Sequence, residues 1–122
     1  MNSQITIMIV DDSTTMRKII KHHLSQLGFS KIIEVANGAQ GLKRIDEEKI
    51  DLILCDWNMP EMNGLQFLYA LREKSKEIPV IMLTTVSTQE EILAALKAGA
   101  ASYITKPFTR DDLKEKIEKI EK

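Results

Sequence analysis

Four short apolar runs of this chain each end on a residue able to take part in ionic or phosphoryl chemistry. The residues that follow these runs are Asp11 with Asp12, then Asp56, Thr84 and Lys106. If the runs are parallel strands, their carboxyl ends lie along one edge of a single sheet. Three carboxylates, a hydroxyl and an ammonium group would then share one crevice. Such a site could hold a divalent metal ion and accept a phosphoryl group.

The three carboxylates favour a hard cation. Like charges placed close together raise one another's pKa unless a cation lies between them. Mg²⁺ or Mn²⁺ fits these oxygen donors, and the sequence has no cluster of His or Cys residues for zinc. Taken singly, each residue has an ordinary alternative, because Asp12 or Ser13 could cap the first helix and Lys106 could be a solvated lysine. Their joint placement at four strand ends favours the site.

Formal charges suggest how such a site would respond to phosphorylation. Asp11, Asp12 and Asp56 contribute −3, and a divalent cation together with Lys106 would balance them. Phosphorylation of Asp56 replaces one carboxylate charge by about two on the phosphoryl group. The Thr84 hydroxyl is placed to supply an additional donor, and its movement would displace the adjoining surface.

Apolar runs and segments of helical period alternate along the chain. The apolar runs are Ile5–Val10, Ile32–Ala36, Leu52–Cys55, Val80–Leu83 and Tyr103–Thr105. The helical stripes comprise Met16, Ile19, Ile20, Leu24 and Leu27; Ala39, Leu42 and Ile45; Leu65, Leu68 and Leu71; Ile92, Ala95 and Leu96; and Leu113, Ile117 and Ile120. This alternation predicts an α/β fold in which helices cover both faces of a five-stranded parallel sheet.

Polar residues and glycines mark the predicted helix ends. Ser13, Ser87 and Thr109 are predicted N-caps. Gly28 and Gly99 each follow a helical run, where a left-handed residue commonly closes a helix. These signals agree with the boundaries that the apolar period predicts.

Length and charge restrict the class of protein. The 122 residues suit one domain, which we predict to span residues 1–122. The net charge of −1 gives no basic footprint for nucleic acid, and no apolar run approaches the roughly 18 residues of a membrane span. The N-terminal Met-Asn-Ser-Gln lacks a basic secretory n-region, and the single Cys55 suggests a reducing compartment. A cytoplasmic monomer is therefore expected.

The same residues resemble the receiver domain of two-component response regulators, and most closely its single-domain chemotaxis members. The segments that carry the resemblance are Asp11-Asp12-Ser13, Asp56-Trp57-Asn58-Met59-Pro60, Gly64, Thr84 and Lys106-Pro107-Phe108-Thr109. The likeness covers essentially the whole chain, and the combination is far more specific than any one segment. It implies a doubly wound, flavodoxin-like sheet with the strand order 2-1-3-4-5.

The resemblance also implies a role for each charged residue. Asp56 would accept the phosphoryl group and become an acyl phosphate. Asp12, Asp56 and the backbone carbonyl of Asn58 would contact Mg²⁺ directly, whereas Asp11 would act through coordinated water. Lys106 would pair with the phosphoryl oxygens.

Thr84 and Tyr103 are the switch residues that the resemblance implies. Thr84 would hydrogen-bond to the phosphoryl group, and Tyr103 would turn inward when Thr84 moves. The output surface would be built from helix 4, strand 5 and helix 5. Its candidate residues are Ile92, Leu96, Tyr103 and Lys116, with core packing as the alternative for Ile92 and Leu96.

Two positions beside Thr84 depart from the pattern of the family. Thr85 stands where many receivers have Ala or Gly, and Val86 stands where a subset has Glu. Both differences would affect access to the site and the rate of dephosphorylation. Lys106-Pro107, by contrast, matches a site where the family uses a cis peptide.

These roles describe a phosphorylation-controlled signalling switch that is not a conventional enzyme, although it would catalyse its own phosphorylation and dephosphorylation. The implied partners are a histidine kinase of the CheA type, the flagellar motor switch protein and a phosphatase. The alternatives within the family are a phosphorelay intermediate and a stand-alone receiver outside motility. A metal-dependent phosphohydrolase is less favoured because Asn58 stands where it would need an acid for proton transfer. A passive scaffold is disfavoured by the intact set of acids and Lys106.

Overall fold

The computed structural model describes residues 3–85 and 88–120 and contains five strands that alternate with five helices. The strands are β1 (Thr6–Val10), β2 (Lys31–Val35), β3 (Leu52–Asp56), β4 (Val80–Thr84) and β5 (Ser102–Thr105). The helices are α1 (Thr14–Gln26), α2 (Gly38–Glu47), α3 (Gly64–Lys74), α4 (Gln89–Lys97) and α5 (Arg110–Ile120). Across these two described ranges, every helix is too short or too polar to traverse a bilayer.

All five strands are parallel and lie in the order β2-β1-β3-β4-β5. This order confirms the doubly wound topology that the family resemblance implied. The central pairing sets Val10 beside Cys55, and the next pairing sets Asp56 beside Leu83. The carboxyl ends of β1, β3 and β4 are therefore level with one another at one edge of the sheet.

The sheet separates two apolar cores because successive side chains of a strand point to opposite faces. On one face, Val80 and Met82 of β4 belong to a cluster covered by α2, α3 and α4. On the other face, Ile81 and Leu83 belong to a cluster covered by α1 and α5. Every residue of β3 and β4 is buried, which explains why these strands have continuous apolar sequences.

Side-chain caps fix the starts of the helices that follow the site loops. The Ser13 hydroxyl accepts a hydrogen bond from the Met16 N–H at 3.1 Å, as predicted for α1. Thr109 and Asp112 exchange hydrogen bonds of 2.9 and 3.0 Å between side chain and backbone at the start of α5, also as predicted. The predicted cap of α4 was wrong, because Thr88 caps this helix through the N–H of Glu91. Ser87 itself lies outside the described residues.

Three apolar residues assigned to buried helix faces are exposed instead. Ile19 of α1 is 42% exposed and Leu96 of α4 is 45% exposed. Each lies at the flank of a stripe whose centre is already buried, namely Ile20 in α1 and Ala95 in α4. In the short α2 the same holds for Ala39, which is exposed beside the half-buried Leu42. Helical period alone does not define how wide the covered stripe is.

Candidate functional site

Four of the predicted site residues meet at the carboxyl edge of the sheet. Asp11 directly follows β1, Asp56 and Thr84 are the last residues of β3 and β4, and Lys106 directly follows β5. Asp11, Asp56 and Thr84 are only 1%, 6% and 4% exposed, respectively. They are the polar residues buried most completely within the described ranges. Charged and polar side chains are rarely buried so completely, and this edge of the sheet is therefore the candidate site.

The carboxylates of Asp11, Asp12 and Asp56 form one cluster. A carboxylate oxygen from each residue lies within 4.8 Å of an oxygen from the other two. The Asp11 Oδ2 atom is buried and makes no hydrogen bond to any residue that the structure describes. A buried carboxylate oxygen without a donor is costly unless a cation approaches it. The donor set is therefore suited to a hard divalent cation.

Lys106 is the one cation that directly contacts this cluster among the described residues. Its Nζ atom lies 2.9 Å from Asp56 Oδ1 and 3.7 Å from Asp11 Oδ2. Three carboxylates and one ammonium group leave two negative charges, which a divalent cation would neutralise. The Lys106 N–H donates to the Thr84 carbonyl at 2.6 Å, and the peptide bond from Lys106 to Pro107 is cis, as the resemblance implied.

The electrostatic environment of Asp11 reflects the burial of this carboxylate. Burial raises the pKa of the Asp11 carboxyl above its ordinary value of 3.8. The hydrogen bond from the Ser13 N–H and the positive charge of Lys106 lower this pKa, whereas the negative charges of Asp56 and Asp12 raise it. The ionised form of Asp11 thus makes the metal-free site less stable.

Replacing Asp11 with Asn is expected to stabilise the metal-free protein at pH 7 by about 1 kcal/mol, because it removes a buried negative charge beside those of Asp56 and Asp12. The folded protein protonates Asp11 more readily than the unfolded chain does. The protonated carboxyl therefore makes its full contribution to the free energy of unfolding below pH 3.8. This contribution is lost as the pH rises through the raised folded-state pKa. The advantage of Asp11→Asn over wild type should therefore grow across that range in urea unfolding with a chelator.

Mg²⁺ should reverse this order of stability, because only the wild type keeps all three carboxylates. The exposed Asp111 provides the matched control, since Asp111→Asn removes a charge whose side chain is 85% exposed. A metal-free Asp11→Asn protein less stable than wild type at pH 7 would contradict the expected cost of the ionised carboxylate.

The loop after β3 holds Trp57 and Asn58 beside Asp56. The Trp57 N–H donates to the Leu83 carbonyl at 2.9 Å, and the Gly64 N–H donates to the Trp57 carbonyl at 2.8 Å. A Cβ atom on Gly64 would lie 2.5 Å from the Asp56 carbonyl oxygen and 2.9 Å from Trp57 Cα. Asn58 is exposed in this loop. The loop therefore needs glycine at residue 64 to bring its backbone against the strand that carries Asp56.

Cys55 precedes Asp56 and points away from the crevice into the core. Its side chain is fully buried, and burial raises the pKa of the Cys55 thiol. Cys55 is therefore a small apolar residue of the core. A thiol in this environment is a poor nucleophile.

Tyr103 lies on the same face of the sheet as Thr84. Tyr103 is paired with Met82, two residues before Thr84, and packs against the cluster that contains Met82. Its ring is half-buried, and the Lys116 Nζ atom lies 5.4 Å from the ring centroid. Ile92 of α4 is half-buried. A displacement of Thr84 at the end of β4 would therefore take place on the face of the sheet where the Tyr103 ring packs.

Of the two positions that depart from the family pattern, the structure describes only Thr85. Thr85 is exposed immediately after β4. Val86 lies outside the described residues.

Arg17 also contacts the site, although it is not among the residues that the sequence pattern predicts there. Arg17 is on α1, and its Nη1 atom donates to the backbone carbonyl of Asp11 at 2.6 Å. The sequence carries no local signal for this contact, since a basic residue in a helix is usually solvated.

Comparisons with known proteins agree with the fold and the arrangement of the site. The model of the response regulator receiver domain matches residues 7–118. The chain is 47% identical over 115 residues to the chemotaxis protein CheY1 of Helicobacter pylori, covering 92% of this chain and 93% of that protein. It is 45% identical over 116 residues to the chemotaxis protein CheY of Pseudomonas aeruginosa, covering 93% and 94%.

A solved structure gives the same result. The chemotaxis protein CheY4 of Vibrio cholerae aligns with a TM-score of 0.90 at 30% identity, covering 96% of this chain and 98% of that one. Family, relatives and topology thus agree with the crevice of carboxylates at the strand ends. The chain belongs to the response regulator receiver domain family and is similar to CheY chemotaxis proteins.

Proposed function

We propose that the protein is a signalling switch that accepts a phosphoryl group on Asp56 in a Mg²⁺-dependent reaction. The observation that carries the proposal is the cluster of Asp11, Asp12 and Asp56 within 4.8 Å, with the Lys106 ammonium 2.9 Å from Asp56. The proposed unit is a receiver domain spanning residues 1–122. It acts as a cytoplasmic monomer without nucleic-acid or membrane partners.

The proposed metal ligands are Asp12, Asp56 and the backbone carbonyl of Asn58, with Asp11 acting through water. Mg²⁺ is the expected ion, and Mn²⁺ would suit the same oxygen donors. When bound, the ion neutralises negative charge on the transferring phosphoryl group.

Asp56 is the proposed nucleophile. One of its carboxylate oxygens forms a bond to phosphorus while the bond from phosphorus to the donor nitrogen of a phosphohistidine breaks. The electron pair of that bond stays on the imidazole, which then takes a proton from solvent. Lys106 holds the phosphoryl oxygens through its ammonium group, which already lies beside Asp56 in the unphosphorylated protein.

Thr84 and Tyr103 are proposed to convert this charge change into a change of surface. The phosphoryl group adds acceptor oxygens at the end of β4, and the Thr84 hydroxyl can donate to one of them. A shift of Thr84 alters the space available to the Tyr103 ring on the same face of the sheet. Tyr103, Lys116 and Ile92 would then present a different surface to a partner.

The proposed donor is a histidine kinase of the CheA type, and the proposed target is the flagellar motor switch protein. The likeness to chemotaxis proteins supports this pathway, and a phosphatase is a further expected partner. The rival assignment is a phosphorelay intermediate or a receiver outside motility. Binding of the phosphorylated protein to a motor switch protein would favour the first, and transfer of its phosphoryl group to a histidine phosphotransfer protein would favour the second.

The test follows the emission of Trp57, the single tryptophan, which directly follows Asp56. Mg²⁺ is titrated first and acetyl phosphate second, and the intact mass is measured in parallel. The proposal expects a metal-dependent change in emission and then the addition of one phosphoryl group, which disappears after the donor is removed. Steady turnover of p-nitrophenyl phosphate without modification of the chain would instead indicate a phosphohydrolase.

A further inference from the structure

We infer that Arg17 is a positioning residue for the metal site, fixing the peptide group that joins Asp11 to Asp12. The inference rests on the proposed function, because it concerns the affinity of that site for Mg²⁺. Within the described part of the chain, Arg17 makes no hydrogen bond or ion pair with the carboxylates of the metal site or with Lys106. It would act through the backbone that carries two of the carboxylates.

The Arg17 guanidinium connects the site loop to two other elements. Its Nη1 atom donates to the Asp11 carbonyl at 2.6 Å, and its Nη2 atom lies 3.3 Å from the Thr14 hydroxyl, which accepts from it. Its Nε atom lies 3.4 Å from the Glu34 carboxylate on β2. The Arg17 side chain is only 15% exposed. A planar guanidinium with several directed donors is suited to holding such an arrangement.

Hydrogen bonds hold Asp11 at three of its polar atoms, and Arg17 supplies one of them. Its N–H donates to the Val35 carbonyl at 3.2 Å, and its Oδ1 atom accepts from the Ser13 N–H at 2.8 Å. The Arg17 contact fixes the third atom, the carbonyl oxygen. Because this carbonyl belongs to the peptide that leads into Asp12, its orientation sets the starting point of both side chains. Asp11 Oδ2 stays without a hydrogen bond from the described part of the chain.

Glu34 gives Arg17 a counter-charge away from the metal site. Its carboxylate contacts Arg17 at 3.4 Å and Lys21 at 3.6 Å. A guanidinium near a cation site would weaken binding by repulsion if no acid lay beside it. Removal of Arg17 therefore has two opposite expected effects, since loss of repulsion would strengthen Mg²⁺ binding and loss of positioning would weaken it. The sign of the change separates the two.

The experiment measures the Kd for Mg²⁺ from Trp57 emission in wild type, Arg17→Met and Arg17→Lys, with urea unfolding of each protein. We expect Arg17→Met to raise the Kd about tenfold, the usual scale for groups that orient metal ligands. Arg17→Lys keeps the charge and loses the planar fork, so it should also raise the Kd. Arg44→Met is the matched control, because Arg44 of α2 pairs with Glu48 at 2.7 Å, just after the end of that helix. It should leave the Kd unchanged.

An unchanged or lowered Kd in Arg17→Met or in Arg17→Lys overturns the inference. If Arg17→Met does not fold, Arg17→Lys decides the question alone. Failure of the inference is distinguishable from failure of the proposed function. In the first case wild type binds Mg²⁺ and a variant binds it at least as tightly, whereas in the second wild type shows no Mg²⁺-dependent emission change.

Discussion

Asp56→Asn is expected to abolish phosphorylation of the protein by acetyl phosphate. Asn keeps the size of the side chain but lacks the nucleophilic carboxylate oxygen, so the acyl phosphate cannot form. Asp56 is 6% exposed and lies 2.9 Å from the Lys106 ammonium. Intact mass after incubation with Mg²⁺ and donor should show one added phosphoryl group in wild type and none in the variant. A weaker Mg²⁺ response should survive, because Asp11 and Asp12 remain.

The control for this experiment is Asp46→Asn. Asp46 pairs with Lys74 at 2.9 Å on the surface, and its side chain is 60% exposed. This variant should be phosphorylated like wild type. Addition of a phosphoryl group to Asp56→Asn at the wild-type rate would falsify the assignment of Asp56 as acceptor.

Lys106→Met is expected to destabilise the metal-free protein by about 3 kcal/mol at pH 7, the scale for breaking a buried ion pair from one side. The Lys106 side chain is 12% exposed and contacts Asp56 and Asp11. Its removal leaves three carboxylates without a cation among them. Mg²⁺ should therefore recover a larger share of the unfolding free energy in the variant than in wild type. Urea unfolding with Mg²⁺ and with a chelator measures both quantities.

Lys74→Met provides the comparison for Lys106→Met. Lys74 makes an ion pair of the same length, 2.9 Å, but its side chain is 40% exposed. Its loss should change stability by less than about 0.5 kcal/mol. Equal losses in the two lysine variants would mean that the crevice is screened like open surface, and would remove the electrostatic argument for the site.

The sheet and its polar edge were largely predictable from the sequence. Continuous apolar runs identified all five strands to within one residue at each end, and the residues after them identified Asp11, Asp56 and Lys106. The strand order was different, since it came from the family resemblance. Local pattern contains no information about which strand lies beside which.

Features that depend on tertiary contacts could not be predicted. Leu96 is exposed at 45% because Ala95 already fills the buried stripe of α4. The cap of α4 is different in kind, because Thr88 and Glu91 form a local capping box whose Thr-x-x-Glu spacing is present in the sequence. Arg17 reaches Glu34 only because β2 lies beside β1. The exposure of Leu96 depends on the width of a covered face, and the Arg17 contact depends on a partner distant in sequence.

Gly64 has a consequence for how the protein would tolerate random mutation. It carries no group that reacts, binds or signals, yet a side chain there would collide with the backbone of Asp56 and Trp57. If single substitutions throughout the chain are scored by the signalling function of the protein, substitutions at position 64 should be tolerated as poorly as those at position 56. Replacing Asp56, the proposed phosphoryl acceptor, with a residue of similar shape would still give a stable folded protein, whereas replacing Gly64 would not. Intolerance at the two positions would thus have separate origins, one in chemistry and one in space.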